Sequence, residues 1–221
     1  MPLSRIFDMN IRLILYLFFS SYSLFAQRVV IENKSAPSFS EHDIRNELKV
    51  YPSNVLNLCV EQILVKDFND KTYYGLSHTA MKYVEINSII PTKIDAIKTL
   101  HHELSSMFLH NVDQDYSERT YKVYGKKFIA LNPNGFRYER GIRVTDLNDE
   151  QRKYFAIDTY SMDSFENDFN RIAETLFADP AYLNHLNTSL PVYKKFLLVV
   201  EFYHNYVDPK FTMEYFQNLK R

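Results

Sequence analysis

The order of apolar and polar positions predicts strands in the first part of the chain. Residues 82–87 alternate with a period of two, which is typical of a half-buried strand. Residues 55–67 are rich in Val, Leu and Ile, and the best strand nucleus within them is 63–65. Residues 73–78 form a further extended segment around a glycine. We therefore expect a small sheet built from these segments.

Apolar residues then recur at helical spacing. Thr92 and Asp95 have the spacing of an N-cap and its partner, and the apolar positions from Ile94 to Phe108 follow a helical period. Pro191 stands where a proline favours the first turn of a helix. The predicted helices are a short one opened by the Ser40–Asp43 capping box, longer ones at 92–110, 163–179 and 190–206, and a short one at 212–219.

The pattern predicts an α+β fold in one domain that covers residues 27–221. Strand signals come first, long helices follow, and no repeat or composition break divides the chain. Residues 111–143 carry few helix signals, and the Asn-Pro-Asn-Gly run at 132–135 is a turn signature. A short helix is predicted at 149–155. We expect a small mixed or antiparallel sheet followed by a helical C-terminal half.

Residues 1–26 have the composition of a secretory signal peptide. Arg5 and Arg12 provide the basic start, and the apolar run from Ile11 to Phe25 leads to a cleavage position after Ala26. A membrane anchor would need about 20 apolar residues, and this run is shorter and interrupted by serines. We therefore expect export to the periplasm or the cell exterior, with no membrane span after the signal is removed.

Composition narrows the function classes further. The 221 residues carry a formal net charge of −1, which argues against a nucleic-acid partner because such a partner needs a basic surface. Hydrophobic residues make up 46% of the chain, which is ample for a core. Cys59 is the single cysteine, so no intrachain disulfide can form, and its apolar neighbours predict a buried side chain.

The clearest candidate chemistry lies in the predicted helix 92–110. His102 is followed directly by Glu103, and Ser106 lies one turn after His102 on the same face. Many zinc peptidases place two ligands at this spacing, with a glutamate general base after the first. His101 points about 100° away from His102, which makes it a poor ligand for the same ion. Because a His-Glu pair is also common on ordinary helices, a metal site and a structural role both stay open.

A third zinc ligand would come from a later helix, because a catalytic zinc needs three protein ligands and an open position. Glu174 can project opposite the apolar stripe of its helix, and Asp168 could bond the free nitrogen of His102 as a supporting group. Tyr160 could donate a hydrogen bond to an oxyanion. The acids equally suit a solvated helix face, and Tyr160 equally suits a packing role.

Residues 60–180 resemble the zinc-binding metallopeptidases exported by Bacteroidetes, which are relatives of the gluzincin group. The resemblance runs through the strand segments 63–66 and 83–86, the Tyr-Gly pair at 74–75 and the histidine helix at 99–106. It continues through residues 131–136, 160–162 and 166–169. Residues 174–180 are similar to the glutamate helix of related gluzincin peptidases.

This resemblance implies a zincin-like fold, with the strands on one side and the metal helix beneath them. It implies that His102 and Glu174 bind zinc and that Glu103 is the general base. The second histidine of the family is replaced by Ser106 in this chain.

Two functions are therefore expected from the sequence. The first is an exported zinc metallopeptidase that hydrolyses peptide bonds with a zinc-activated water. In that case Ser106 binds through water, or His78 or His101 fills the gap. The alternative is a catalytically degenerate zincin-fold protein that serves as a binding or scaffold module in the cell envelope. Both imply a peptide or protein as the partner.

Overall fold

Four short strands form one mixed sheet in the computed structural model, which describes residues 27–32, 38–113, 117–132, 138 and 154–219. The strands are β1 (Arg28–Ile31), β2 (Gln62–Lys66), β3 (Gly75–His78) and β4 (Tyr83–Asn87). Their order in the sheet is β1-β2-β4-β3; β1 and β4 run parallel to β2, and β3 runs antiparallel to β4. The antiparallel β3 therefore lies at one edge of the sheet.

Helices make up most of the remaining described chain. They are α1 (Glu41–Leu48), α2 (Ser53–Cys59), α3 (Lys93–Asn111), α4 (Ser117–Leu131), α5 (Phe165–Ala178), α6 (Pro191–Phe202) and α7 (Met213–Gln217). A π-helical turn, Tyr203–Val207, extends α6. Over the described part of the chain, no helix combines the length and apolar character that a membrane crossing requires. The prediction of an α+β fold with a small mixed sheet is confirmed.

Side-chain caps fix the helix starts that the sequence predicted. The Ser40 hydroxyl accepts a hydrogen bond from the amide of Asp43, whose carboxylate accepts one from the amide of Ser40. The Thr92 hydroxyl caps α3 by accepting from the amide of Asp95 at 3.1 Å. Ser164 caps α5 in the same way. Each cap satisfies an amide that the helix itself leaves unbonded.

Two segments differ from the sequence prediction. The first part of 55–67 is not extended, because α2 forms there and buries Leu56 and Cys59 on one side. The prediction of few helix signals in 111–143 was wrong over α4. Buried side chains recur at every fourth residue of this helix, and two of them, Tyr124 and Phe128, are aromatic. The predicted signal peptide at 1–26 lies outside the described residues, as do 133–135 of the predicted turn and 149–153 of the predicted helix.

The helix α3 is the centre of the molecule. It packs against β3, β4, α1, α2, α4 and α5. The sheet presents fully buried apolar side chains to the core, among them Ile63, Val65, Val84 and Ile86. Residues 99–109 of α3 are all buried, although several of them are polar. Each of these polar groups needs a partner inside the protein, because burial without one is costly.

A buried ion pair joins α5 to α6. The ammonium of Lys195 donates to the Asp168 carboxylate at 2.6 Å, to the Phe155 carbonyl at 2.8 Å and to the Tyr138 hydroxyl at 3.2 Å. Both charged side chains are fully buried. Burial lowers the pKa of Lys195, while the carboxylate of Asp168 opposes that shift. All three protons of the ammonium have an acceptor, whereas the second carboxylate oxygen of Asp168, Oδ1, is buried with no hydrogen-bond partner among the described residues.

Replacing Lys195 with Met should destabilise the protein, because the Asp168 carboxylate would stay buried without a counter-ion. We expect the free energy of unfolding to fall by about 3–5 kcal/mol, measured by urea denaturation at pH 7. The double variant Lys195→Met/Asp168→Leu removes both charges and should recover most of that loss. A loss below about 1 kcal/mol in the single variant would contradict this role of the pair.

Candidate functional site

A cleft of about 380 Å³ opens between the edge strand β3, the central helix α3 and α5. It contains residues from four segments of the chain, which are Thr72, Tyr73, Tyr74 and Gly75 at β3, Thr99, His102 and Glu103 on α3, Tyr160, and Arg171 and Glu174 on α5. Four of the residues named from the sequence as site candidates, His102, Glu103, Tyr160 and Glu174, therefore line one cavity.

The glycine at position 75 lets β3 lie directly against α3. A Cβ atom at this position would fall 2.6 Å from the Glu103 Oε1 atom and 2.6 Å from the Thr99 Cγ2 atom. Both distances are far below van der Waals contact. The strand β3 can therefore lie this close to Thr99 and Glu103 of α3 because residue 75 has no side chain.

The imidazole of His102 and the carboxylate of Glu174 meet in the cleft. His102 Nδ1 lies 3.0 Å from Glu174 Oε2, and both side chains are about nine-tenths buried. Burial by itself lowers the pKa of His102, but the hydrogen bond to Glu174 and the nearby charges of Glu103 and Glu174 outweigh burial and raise it. The structure thus joins residues 102 and 174 as a charge-assisted pair.

The second oxygen of Glu174 is also bonded, to a residue that the sequence analysis missed. Arg171 Nη1 donates to Glu174 Oε1 at 2.5 Å, and Arg171 Nη2 lies 2.8 Å from the Asp158 carboxylate. The guanidinium lies 5.4 Å from the centre of the Tyr160 ring. Nearby carboxylates raise the pKa of Arg171 against the effect of burial, so it is charged. Arg171 lies three residues before Glu174, and residues at this spacing on a helix are neighbours, so the sequence did contain a signal for this ion pair.

Glu103 is buried beside β3 without a strong cationic partner. Burial raises the pKa of Glu103 to about 7, although the His102 charge and a hydrogen bond from Ser77 act in the other direction. Among the described residues, no lysine or arginine forms an ion pair with this carboxylate. Close to neutral pH, Glu103 therefore holds or releases a proton in response to small changes around it.

The hydroxyl of Ser106 is held away from the cleft. It donates to Glu166 Oε1 at 2.7 Å and accepts from Asn170 Nδ2 at 2.7 Å, in the contact between α3 and α5. Glu166 in turn lies 3.4 Å from His110 Nε2. Hydrogen bonds from His110 and Ser106 lower the pKa of Glu166 despite its burial. Ser106 thus belongs to an interhelical network.

His101 faces the opposite side of α3. Its Nδ1 atom lies 2.6 Å from the Tyr51 hydroxyl, its Nε2 atom lies 3.1 Å from Glu47 Oε2, and its ring stacks on Phe177 at 4.8 Å. His78 lies on the outer sheet face, stacked on Tyr83 at 4.1 Å. The structure therefore brings neither histidine into the cleft.

Asp168 and Tyr160 complete the set of predicted residues. The expectation that Asp168 supports His102 was wrong, because its carboxylate binds Lys195 and Tyr138 instead. Tyr160 does line the cleft, and its ring centre lies 5.8 Å from that of His102. Burial raises the pKa of Tyr160 to about 12, so its hydroxyl keeps its proton and can donate a hydrogen bond.

The donor set of this cleft does not fit a zinc ion. A catalytic zinc takes three protein ligands, and only His102 and Glu174 meet here. Within the described ranges, no three His, Cys, Asp or Glu side chains form a group that could hold a metal. Arg171 also supplies a permanent positive charge at Glu174, where a metal would have to bind.

Comparisons with known proteins show a related fold. No known family model matches the sequence, and no curated protein matches it. The structure is similar to a crystal structure from Bacteroides caccae described as a "putative zinc-binding metallo-peptidase", with a TM-score of 0.52 and 11% identity. The match covers 87% of this chain and 85% of that chain. At this identity, the likeness establishes a distant structural relationship to a metallopeptidase-like fold.

Replacing Glu103 with Gln should stabilise the protein in a pH-dependent way. The carboxyl loses its proton near pH 4.5 when unfolded and near pH 7 when folded, so its contribution to stability falls as the pH rises between these values. We expect Glu103→Gln to raise the free energy of unfolding by up to about 3 kcal/mol at pH 8 and by much less at pH 5.

Urea denaturation at the two pH values measures this difference. Glu61→Gln is the matched control, because it removes the same charge from an exposed position. An equal effect of Glu103→Gln at both pH values would show that ionisation of the buried Glu103 carboxyl does not make the stability depend on pH.

Proposed function

We propose that this protein is a non-catalytic binding protein on a metallopeptidase-like fold, and that its cleft holds a peptide or protein ligand. The observation that carries this proposal is that both oxygens of Glu174 are bonded, one to His102 and the other to Arg171. A zinc ion would have to break the hydrogen bond between His102 and Glu174 and bind that carboxylate beside a permanently charged guanidinium that already holds its other oxygen. This competition favours a metal-free cleft.

The position of the missing histidine supports the same conclusion. The Ser106 hydroxyl is a poor zinc ligand at neutral pH, and it is already committed to Glu166 and Asn170. Recruiting it to a metal would break both hydrogen bonds inside a buried interface. The site therefore has two suitable ligands where catalysis requires three.

The edge of the sheet offers a place for an extended ligand. Among the described strands, none pairs with the outer edge of β3, and β3 borders the cleft through Gly75. An extended peptide can add to such an edge through backbone hydrogen bonds, while side-chain pockets give specificity. Tyr73 and Tyr74 line the same cleft and are about half exposed.

The site of action that we propose is outside the cytoplasm, in the periplasm or beyond the cell surface. The support is the signal-like composition of residues 1–26. The mature protein would then begin near Gln27 and would act as a binding or scaffold module of the cell envelope.

A zinc peptidase is the second candidate function. The specific observation that favours it is that His102, Glu103 and Glu174 line one cleft. The raised pKa of Glu103, about 7, would suit a general base at neutral pH. This function requires a third zinc ligand and the loss of the hydrogen bond between His102 and Glu174.

Zinc content separates the two functions. We expect residues 27–221, after dialysis against micromolar zinc and then buffer, to retain far less than one zinc per chain and to leave casein intact. Ser106→His supplies the absent donor and should retain close to one zinc per chain. The double variant Ser106→His/His102→Ala is the matched control, and it should lose that zinc.

Stoichiometric zinc in the unmodified protein, with casein hydrolysis that Glu103→Gln abolishes, would overturn the binding proposal and establish the peptidase. Thermal melting of each variant shows whether it is folded. A folded Ser106→His variant that takes up no zinc would mean that the serine at position 106 is not what prevents zinc binding.

A further inference from the structure

The charges of the cleft and of the adjacent Asp158 do not balance. Glu174 is bonded to both of the available cations, His102 and Arg171, and Arg171 also pairs with Asp158. Glu103 shares the cleft but is bonded to neither cation, and its hydrogen bond comes from the neutral Ser77. Even with His102 protonated, the three carboxylates of Glu103, Asp158 and Glu174 therefore share two cations, and Glu103 is the one without a direct ion pair.

The carboxylate that lacks a counter-ion is buried rather than solvated. Glu103 has only 8% of its surface exposed, and the wall formed by Gly75 closes on it from the side of β3. The cleft is thus the open route to this group. A buried carboxylate is stabilised strongly by a cation that forms a hydrogen bond to it.

Three tyrosines line the same cleft as this carboxylate. Tyr73, Tyr74 and Tyr160 all line the cleft, with 51%, 46% and 42% of their surface exposed. Aromatic ring faces attract cations, and rings that surround a cavity are a known way to hold an ammonium ion. Arg171 already lies over Tyr160, whereas no cation from the described residues lies over Tyr73 or Tyr74.

We propose that the cleft binds a primary ammonium group of its ligand, with Glu103 as the counter-ion and Tyr73 and Tyr74 as the flanking rings. This inference rests on the proposed metal-free function, because a zinc ion would supply the missing positive charge itself. A lysine side chain and the amino terminus of a peptide present the same chemistry. A volume of about 380 Å³ is within the range of ordinary small-ligand pockets.

Calorimetric titration of residues 27–221 at pH 7.5 with three probes tests the proposal. The probes are N-acetyl-lysine amide, leucine amide with its free amine, and the neutral N-acetyl-norleucine amide, all in the presence of EDTA. We expect one or both amines to bind at least about tenfold more tightly than the neutral probe, because the neutral probe leaves Glu103 unpaired. The stronger amine identifies the source of the ammonium group. No binding of either amine, or equal binding of the neutral probe, would overturn the proposal.

Variants test the named residues. Glu103→Gln should weaken amine binding by about tenfold or more, and Tyr73→Leu or Tyr74→Leu by about two- to fivefold. The charge-matched control Glu61→Gln should bind as the unmodified protein does, since its side chain is exposed away from the cleft lining. Melting curves exclude unfolded variants. Unchanged affinity in a folded Glu103→Gln variant would refute the role of this carboxylate.

Zinc analysis of the same samples keeps the two proposals separate. Stoichiometric zinc before EDTA treatment refutes the binding-protein function, whatever the amines do afterwards. A zinc-free protein that binds no amine refutes the ammonium site and leaves the binding-protein function standing.

Discussion

The burial of a polar helix governs the rest of this structure. α3 is enclosed over residues 99–109, yet it carries two histidines, a glutamate and two serines in that span. Because an unpartnered polar group inside a protein is costly, the surrounding elements must supply partners. Glu47 and Tyr51 do so for His101, and α5 does so for the opposite face. Hydrogen bonds to α3 therefore hold both the site and the core, on different faces of the same helix.

The arginine at position 171 decides the character of the cleft. In a metal centre, the charge that holds a glutamate and a histidine together comes from the ion. Here the glutamate is held by an imidazole and a guanidinium, both covalently part of the chain. Since fold and function are separable, the metallopeptidase-like fold alone does not determine what this cleft binds. The positive charge of Arg171 stabilises the site but leaves Glu103 without an equivalent partner.

Local sequence signals gave the parts of the fold that local interactions determine. The caps at Thr92 and Ser164 and the alternation in β4 depend on neighbours a few residues away, so they were visible in the sequence. α4 was missed because its buried face uses aromatic residues among lysines, which gives a weak apolar pattern. The hydrogen-bond partners of the polar side chains were harder to predict from the sequence. Asp168 looked equally suited to His102 or to a solvated face, and only the packing of α6 on α5 assigns it to Lys195. The convergence of residues 102 and 174 came from the family resemblance, since no local pattern links positions so far apart.

The absent side chain at position 75 has an evolutionary consequence. Contact with α3, rather than an unusual backbone angle, favours glycine at this position, because a Cβ there would require the side chains of Thr99 and Glu103 to move or the strand and the helix to separate. Because residue 75 lines the cleft beside Glu103, a homologous chain with a larger residue at this position would have a cleft of different shape. The residue at this single position is thus a marker by which homologues can be grouped according to the shape of the cleft.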